Sequence, residues 1–288
     1  MQRDVDVDLP RGIIRACLLL VALVALVVLL VGWGVGSSHV RSVVLGWPEM
    51  VPLTALGFLI SAVAIGLFSH AHRREVVLPR SYRPALFSMA GGLIMLAGID
   101  LMDHLLGWGM NLDWLGLDPV RITGESHFYN PMAPTTAGGF IATGVTLALS
   151  ELKSPRLVIN MGNLVVMLIG ALGMSGYLFG GAPMLPYSPM AVHTALSFIF
   201  VATALSGAQP HSWLERLVES TDESGMVIQR MFLLAVAGPI LTGGLLMSGR
   251  WMGWYSPETA MGLFCVLLVF LGCSLVAITE GQLRSNRA

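Results

Sequence analysis

The stretch IDLMDHLLGW, residues 99–108, holds the densest group of ionisable side chains in an apolar setting. Asp100 and Asp103 are three apart and Asp100 and His104 four apart, so on a helix all three share one face. A carboxylate beside an imidazole at this spacing suits a proton-sensitive switch or part of a metal site. The competing reading is an ordinary helix end whose acids reach solvated headgroups. His39, His104, His127 and His193 fall on the same proposed side of the chain, but no HxxxH or HxH spacing joins them into a metal centre. A haem would require facing axial ligands, for which His104 and His193 are the depth-matched pair. No metal and no cofactor is therefore expected. Trp108, Asp113, His127 and Tyr255 complete the candidate ligand-binding set with Asp100, Asp103, His104 and His193. The segment 111–131 carries Asp113, Trp114, Asp118, Glu125 and His127 and is the candidate lid. No catalytic residue is assigned: the sequence has no phosphate loop, no supported Ser/His/Asp arrangement and no nucleic-acid signature. The chain is not expected to be an enzyme.

These residues must be positioned by membrane helices. Of 288 residues, 55% are hydrophobic and 11% charged, with a mean hydropathy of +0.75. Soluble domains carry about 25% charge. A helix needs about 20 apolar residues to cross the hydrocarbon core. Five long apolar runs satisfy this: Gly12–Trp33, Pro84–Leu106, Leu157–Phe179, Ile228–Met247 and Pro257–Ile278. Three shorter runs, Pro52–Phe68, Pro134–Leu149 and Ala191–Leu205, reach it with neutral flanks. Eight spans result, the first read as a retained helix because its apolar part exceeds a signal core of about 7–15 residues. Cys17, Cys265 and Cys273 all fall inside spans and form no disulfide or zinc pattern.

With a cytoplasmic N-terminus, the inner segments hold Arg3, Arg11, Arg15, Arg73, Arg74, Arg80, Arg83, Lys153, Arg156, Arg216, Arg230, Arg284 and Arg287. The outer segments hold Arg41, Arg121 and Arg250 alone. This positive-inside bias places both termini in the cytoplasm. The outer acids Glu49, Asp100, Asp103, Asp113, Asp118, Glu125 and Glu258 outnumber those three arginines, which favours cationic ligands there. Outer aromatics (Trp33, Trp47, Trp108, Trp114, Trp251, Trp254, Tyr129, Tyr177, Tyr187, Tyr255) also outnumber inner ones, as a pocket lining or a lipid-facing collar. His70 and His72 flank arginines and read as part of a basic inner surface.

One phrase recurs. MVPLTALGF (50–58), MAPTTAGGF (132–140), MAVHTALSF (190–198) and YSPETAMGL (255–263) align on Thr-Ala. Pro-x-Thr-Ala is expected about once in ten chains of this size at ordinary residue usage. Three copies have it, and the copy at 190–198 has Val192 in the proline slot. Proline suits the first helical turn, where its missing N–H costs nothing. Threonine can return its hydroxyl to a carbonyl, and alanine lets helices approach closely. Each copy thus begins an even-numbered span and marks a packing seam. The fold expected is all-α and membrane-embedded, with eight transmembrane helices forming four parallel helix-hairpin repeats at about 12–70, 84–151, 157–206 and 227–280. All belong to a single transmembrane domain, 1–288. Clustered helix starts could also form a polar outer vestibule. Glycines 162, 170, 173 and 176 of span five read as a close-packing face, and Asn160, Asn163, Gln229 and Arg230 as polar links across helices. WLERLVES, 213–220, reads as a short amphipathic surface helix.

LLGWGMNLDWL (105–115) followed by MAPTTA resembles the second repeat of a known plan. The eight-helix N-terminal membrane region of bacterial PAS and sensor histidine kinases typically shows a leucine-rich helix, Gly-Trp-Asp-x-Gly-Ile-Asp and Met-x-Pro-x-Thr-Ala there. Gly107, Trp108 and Asp113 match that pattern, whereas Gly109 replaces its first aspartate and Asn111 its glycine. MAVHTALSF and GRWMGWY (249–255) resemble the family's third and fourth repeats. The resemblance implies a membrane sensory input module in the bacterial cytoplasmic (inner) membrane, responding to a ligand or membrane state at its outer side. Family members continue into output domains, and the sequence carries no kinase, cyclase or PAS pattern; the resemblance therefore implies a protein partner at the cytoplasmic face or within the membrane, a lost output, or an excised region of a longer protein. A homodimer is compatible with it, and nucleic acid is not an expected partner. The alternative is a non-catalytic subunit that scaffolds a larger membrane complex. A channel or transporter is the lesser reading.

Overall fold

The computed structural model describes residues 8–44, 46–73, 81–106, 132–180 and 189–209, together with short stretches between 241 and 267. The chain divides into two compact units, Met1–Glu215 and Arg216–Ala288. Every regular element among the described residues is helical, as a bilayer requires: with no water available, each backbone group must be satisfied within the segment. Four helices, Gly12–Trp33, Pro52–His72, Tyr82–Leu106 and Arg156–Tyr177, are long and apolar enough to cross a membrane. The protein is therefore read as membrane-embedded.

The first unit contains α1 (Asp8–Val27), which continues as a π-helical segment Val28–Trp33, and a short α2 (Ser38–Ser42). It continues with α3 (Pro52–Arg73), α4 (Tyr82–Leu106), α5 (Pro134–Glu151), α6 (Arg156–Gly180) and α7 (Val192–Ala208). Helices occupy all six of the first expected apolar runs, and four of these helices are of membrane-crossing length. The seventh and eighth, together with residues 213–220, lie mostly or wholly outside the described residues.

Three of the four phrases open α3, α5 and α7. Each helix begins at the proline slot: Pro52, Pro134 and Val192. In every copy the alanine N–H donates to the carbonyl four residues before it, Ala55 to Val51, Ala137 to Ala133, Ala195 to Ala191 and Ala260 to Ser256, at 3.0–3.2 Å. In the fourth copy the Ser256 hydroxyl also lies 3.4 Å from the Thr259 N–H. The phrase opens a helix in the first three copies, and Thr259 and Ala260 of the fourth are helical.

Packing follows a cyclic rule. Helices α3, α5 and α7 pack on one another as an inner triangle. Each outer helix packs on two of them: α1 on α3 and α7, α4 on α5 and α3, and α6 on α7 and α5. Among these helices of the first unit, the α1–α7 seam closes the ring. The fourth phrase belongs to the second unit, which holds its own helical residues and a Tyr255 hydroxyl donating to the Leu246 carbonyl at 2.6 Å.

The triangle's core is layered by the phrase. Thr54, Thr136 and Thr194, then Phe58, Phe140 and Phe198, then Ile65, Leu147 and Leu205 occupy matching positions, none more than 2% exposed. The three phenylalanine rings touch pairwise, with centroids 4.8, 4.9 and 5.1 Å apart. Gly57 and Gly139 let this happen: a Cβ on Gly57 would lie 2.7 Å from Phe140 Cζ, and one on Gly139 2.5 Å from Phe198 Cζ. Span five's glycine face behaves as expected. A Cβ on Gly170 would sit 2.9 Å from the Ala195 carbonyl oxygen of α7, and one on Gly162 2.3 Å from Thr146 Oγ1 of α5. The opposite face of α6, from Leu157 to Leu172, is exposed and apolar, as lipid contact demands.

Candidate functional site

The bundle has two ends. At the Thr-Ala end, the π segment aims Trp33 inward, where its Nε1–H donates to the Met50 carbonyl at 2.9 Å. Tyr177 of α6 does the same in the third hairpin, donating its hydroxyl to the Met190 carbonyl at 2.6 Å. Each aromatic thereby ties the end of an outer helix to the start of an inner one. Arg41 of α2 is buried and stacks over the Trp33 ring at 4.7 Å. Its Nε lies 3.4 Å from Glu49 Oε2, an ion pair without a hydrogen bond at that nitrogen. Trp47 meets Tyr177 with ring centroids 4.6 Å apart. The outer aromatic excess is thus partly a set of inward struts.

The candidate residues of this end divide. Asp100 is buried at 1% exposure, Asp103 is half-buried and His104 is exposed. Both acids have interactions, whereas His104 forms no ion pair with either. Asp100 and His104 both lie on α4 at the expected helical spacing, and the last three residues of α4 are exposed. His193 is buried in the first turn of α7, at 8% exposure, with no hydrogen-bond partner for either ring nitrogen. Tyr255 is half-buried in the second unit, closing a local turn. Trp108, Asp113 and His127, with the proposed lid at 111–131, lie outside the described residues. Of the eight, Asp100, Asp103, His104 and His193 are the ones described within the first unit. Among the described residues, no group of three or more His, Cys, Asp or Glu could hold a metal ion.

The opposite end carries a tighter constellation. Glu151, the last residue of α5, is buried with a side chain 3% exposed. Its position is fixed by a left-handed turn: Lys153 has φ 54°, the Ser154 N–H returns to the Leu149 carbonyl and the Lys153 N–H to the Ser150 carbonyl. This is a helix-ending pattern that usually employs glycine. Glu151 Oε1 accepts from Arg83 Nε at 2.7 Å, and Oε2 accepts from the Tyr82 hydroxyl at 3.1 Å. His72 of α3 presents Nε2 to Oε2 at 3.8 Å. One carboxylate therefore joins α3, α4 and α5. Nearby polar residues extend the belt. Asn163 of α6 donates to the Ser206 hydroxyl of α7, and Gln209 reaches the Ser150 hydroxyl at 3.5 Å. Asn163 is the cross-helix link expected of it, whereas Asn160 is exposed.

A buried carboxylate is tolerated only when paired and hydrogen-bonded. Sequence reading places His72 in a basic surface and gives Glu151 no role. The structure instead packs the His72 ring on Phe68, with centroids 4.3 Å apart, and turns it toward Glu151. The available signal was an acid ending a threonine-rich inner helix, but its partners are 68 and 69 residues distant in sequence.

Compared with protein-family models, curated proteins and solved structures, the chain matches none.

Proposed function

We propose that the chain is a membrane-embedded sensory module of the bacterial cytoplasmic membrane. It comprises eight spans in four parallel hairpins, with both termini and the Glu151 end in the cytoplasm. A ligand or membrane state acts at the Thr-Ala end, and altered helix packing reports it to a protein partner at the Glu151 end. The observation that carries this reading is the filled core between α3, α5 and α7: the rings of Phe58, Phe140 and Phe198 touch pairwise, and Ile65, Leu147 and Leu205 are fully buried. A closed axis suits transmission through packing and disfavours conduction through the triangle. The basic residues of the inner segments support the orientation, and the resemblance to kinase input regions supports the sensory role. No catalytic step is assigned to it.

A sensor needs two packings of similar energy and a ligand that prefers one. The test is the distance between spin labels at Gly12 on α1 and Gln209 after α7, in sealed proteoliposomes. External pH is varied over about 5.5–8, the range in which imidazoles titrate, and external divalent cations are added separately. A shift in the distance distribution supports the sensor. Distances that stay fixed under every condition support a passive subunit of a larger complex instead. Solute leakage through the liposomes would replace both with a channel.

A further inference from the structure

We propose that His72 and Glu151 form a proton-operated latch between α3 and α5. His72 Nδ1 lies 3.2 Å from the Phe68 carbonyl oxygen one turn earlier. A carbonyl oxygen can only accept, so Nδ1 carries the ring's hydrogen in that contact. In the neutral imidazole, Nε2 is then a bare lone pair, and Nε2 is the atom that faces Glu151 Oε2 at 3.8 Å. Two acceptors face each other, and no bond joins them. A proton on Nε2 converts the same arrangement into a charge-assisted N–H to carboxylate bond, whose normal length is about 2.7–2.9 Å. Closing that gap draws the end of α3 toward the end of α5.

Glu151 can accept this donor without losing another. A carboxylate offers about four lone-pair sites, and Arg83 Nε and the Tyr82 hydroxyl use one on each oxygen. His72 closes the apolar span Pro52–His72, with a side chain 25% exposed, while that of Glu151 is 3% exposed. Among the described side chains on the elements packed against α3 at this end, the other charged or titratable groups are Tyr82 and Arg83 of α4, exposed Arg15 of α1 and exposed Lys153 just beyond α5; α7 leads to the neutral Gln209. Arg83 neutralises Glu151, so protonated His72 meets a carboxylate already paired with one cation. Against that reduced attraction, the proton still gives Nε2 the donor that the neutral ring lacks, so the closed latch requires it: the latch tightens at low pH and releases as pH rises. The latch holds whether the module is a sensor or a passive subunit, because it concerns two helix ends and no ligand.

The test uses the full chain in nanodiscs, with Cys17, Cys265 and Cys273 replaced by alanine and spin labels at His70→Cys and Leu152→Cys, both exposed. Between about pH 8 and 5.5 the short-distance population should grow. His72→Gln should abolish that growth, and His72→Lys, charged throughout, should hold the short distance at every pH. An unchanged response in His72→Gln, or no response in the parent protein, overturns the latch. Nitrogen-15 resonances of the His72 ring give a check that needs no substitution at His72. Nδ1 should stay protonated through the titration while Nε2 changes state. A neutral ring protonated at Nε2 would overturn it equally.

Discussion

Replacing Phe140 with leucine isolates the aromatic layer that fills the triangle. In a bilayer, lipid tails are as apolar as a protein core, so the usual water-transfer gain of burying a ring is missing. What remains is contact. Phe140 touches two rings, Phe58 and Phe198, at 4.8 and 5.1 Å. Each aromatic pair contributes about 0.5–1.5 kcal/mol beyond area burial, so losing two pairs should cost about 1–3 kcal/mol. Leucine keeps most of the volume and limits the cavity contribution that alanine would add. Phe58→Leu and Phe198→Leu should cost similar amounts, since each ring also has two partners. Phe87→Leu on α4 is the control: it is 36% exposed and should stay within about 0.5 kcal/mol of the parent. The assay is reversible unfolding in bicelles by steric trapping. A double-mutant cycle between Phe58→Leu and Phe140→Leu should return a coupling of about 0.5–1.5 kcal/mol. If Phe140→Leu costs no more than Phe87→Leu, or the cycle shows no coupling, the layer is not what holds the triangle.

Two further outcomes follow from the same geometry. Trp33→Phe and Tyr177→Phe each remove one donor to a phrase carbonyl and should each cost about 1 kcal/mol in the same assay; a cost near zero for both would mean the struts are incidental. Cysteines at Ser38 and Leu152 should react with impermeant reagents from opposite faces of the membrane, and labelling of both from one face would dismantle the hairpin topology.

Helix starts were legible because proline at a first turn is a local signal: Pro52 and Pro134 open α3 and α5, and Val192 opens α7 by analogy of position. Helix ends were less so. The apolar run of the second span stops at Phe68, yet α3 continues to Arg73, because backbone hydrogen bonding does not end where hydrophobicity does. That extra turn carries His72 into the Glu151 cluster. The cluster itself was hidden, since Arg83 and Glu151 meet across 68 residues and neither sits in a recognisable local pattern. The Asp100–His104 spacing correctly described a helix face, but periodicity does not reveal where neighbouring helices stop covering it. The hydroxyl back-bonds expected at a packing seam are present, but at Ser61, Thr143, Thr146, Ser150 and Thr203. Nor does the phrase announce that the helices of the first unit close a ring. Closure depends on how α1 fits α7, a pairing with no sequence signature.

That closing seam has a consequence for how the chain is made. Synthesis delivers α1 first and α7 after five further helices, so the ring stays open through most of insertion. Throughout that interval α1 has α3 but lacks its second neighbour. The long tether does little to hinder eventual pairing, because closure entropy grows only slowly with loop length. It does leave a vacancy, and α7 of another nascent chain presents the same face as the chain's own. Ring closure is thus a competition between intramolecular completion and exchange with a neighbour, and crowded insertion sites favour a swapped pair whose seams are identical to those of the monomer.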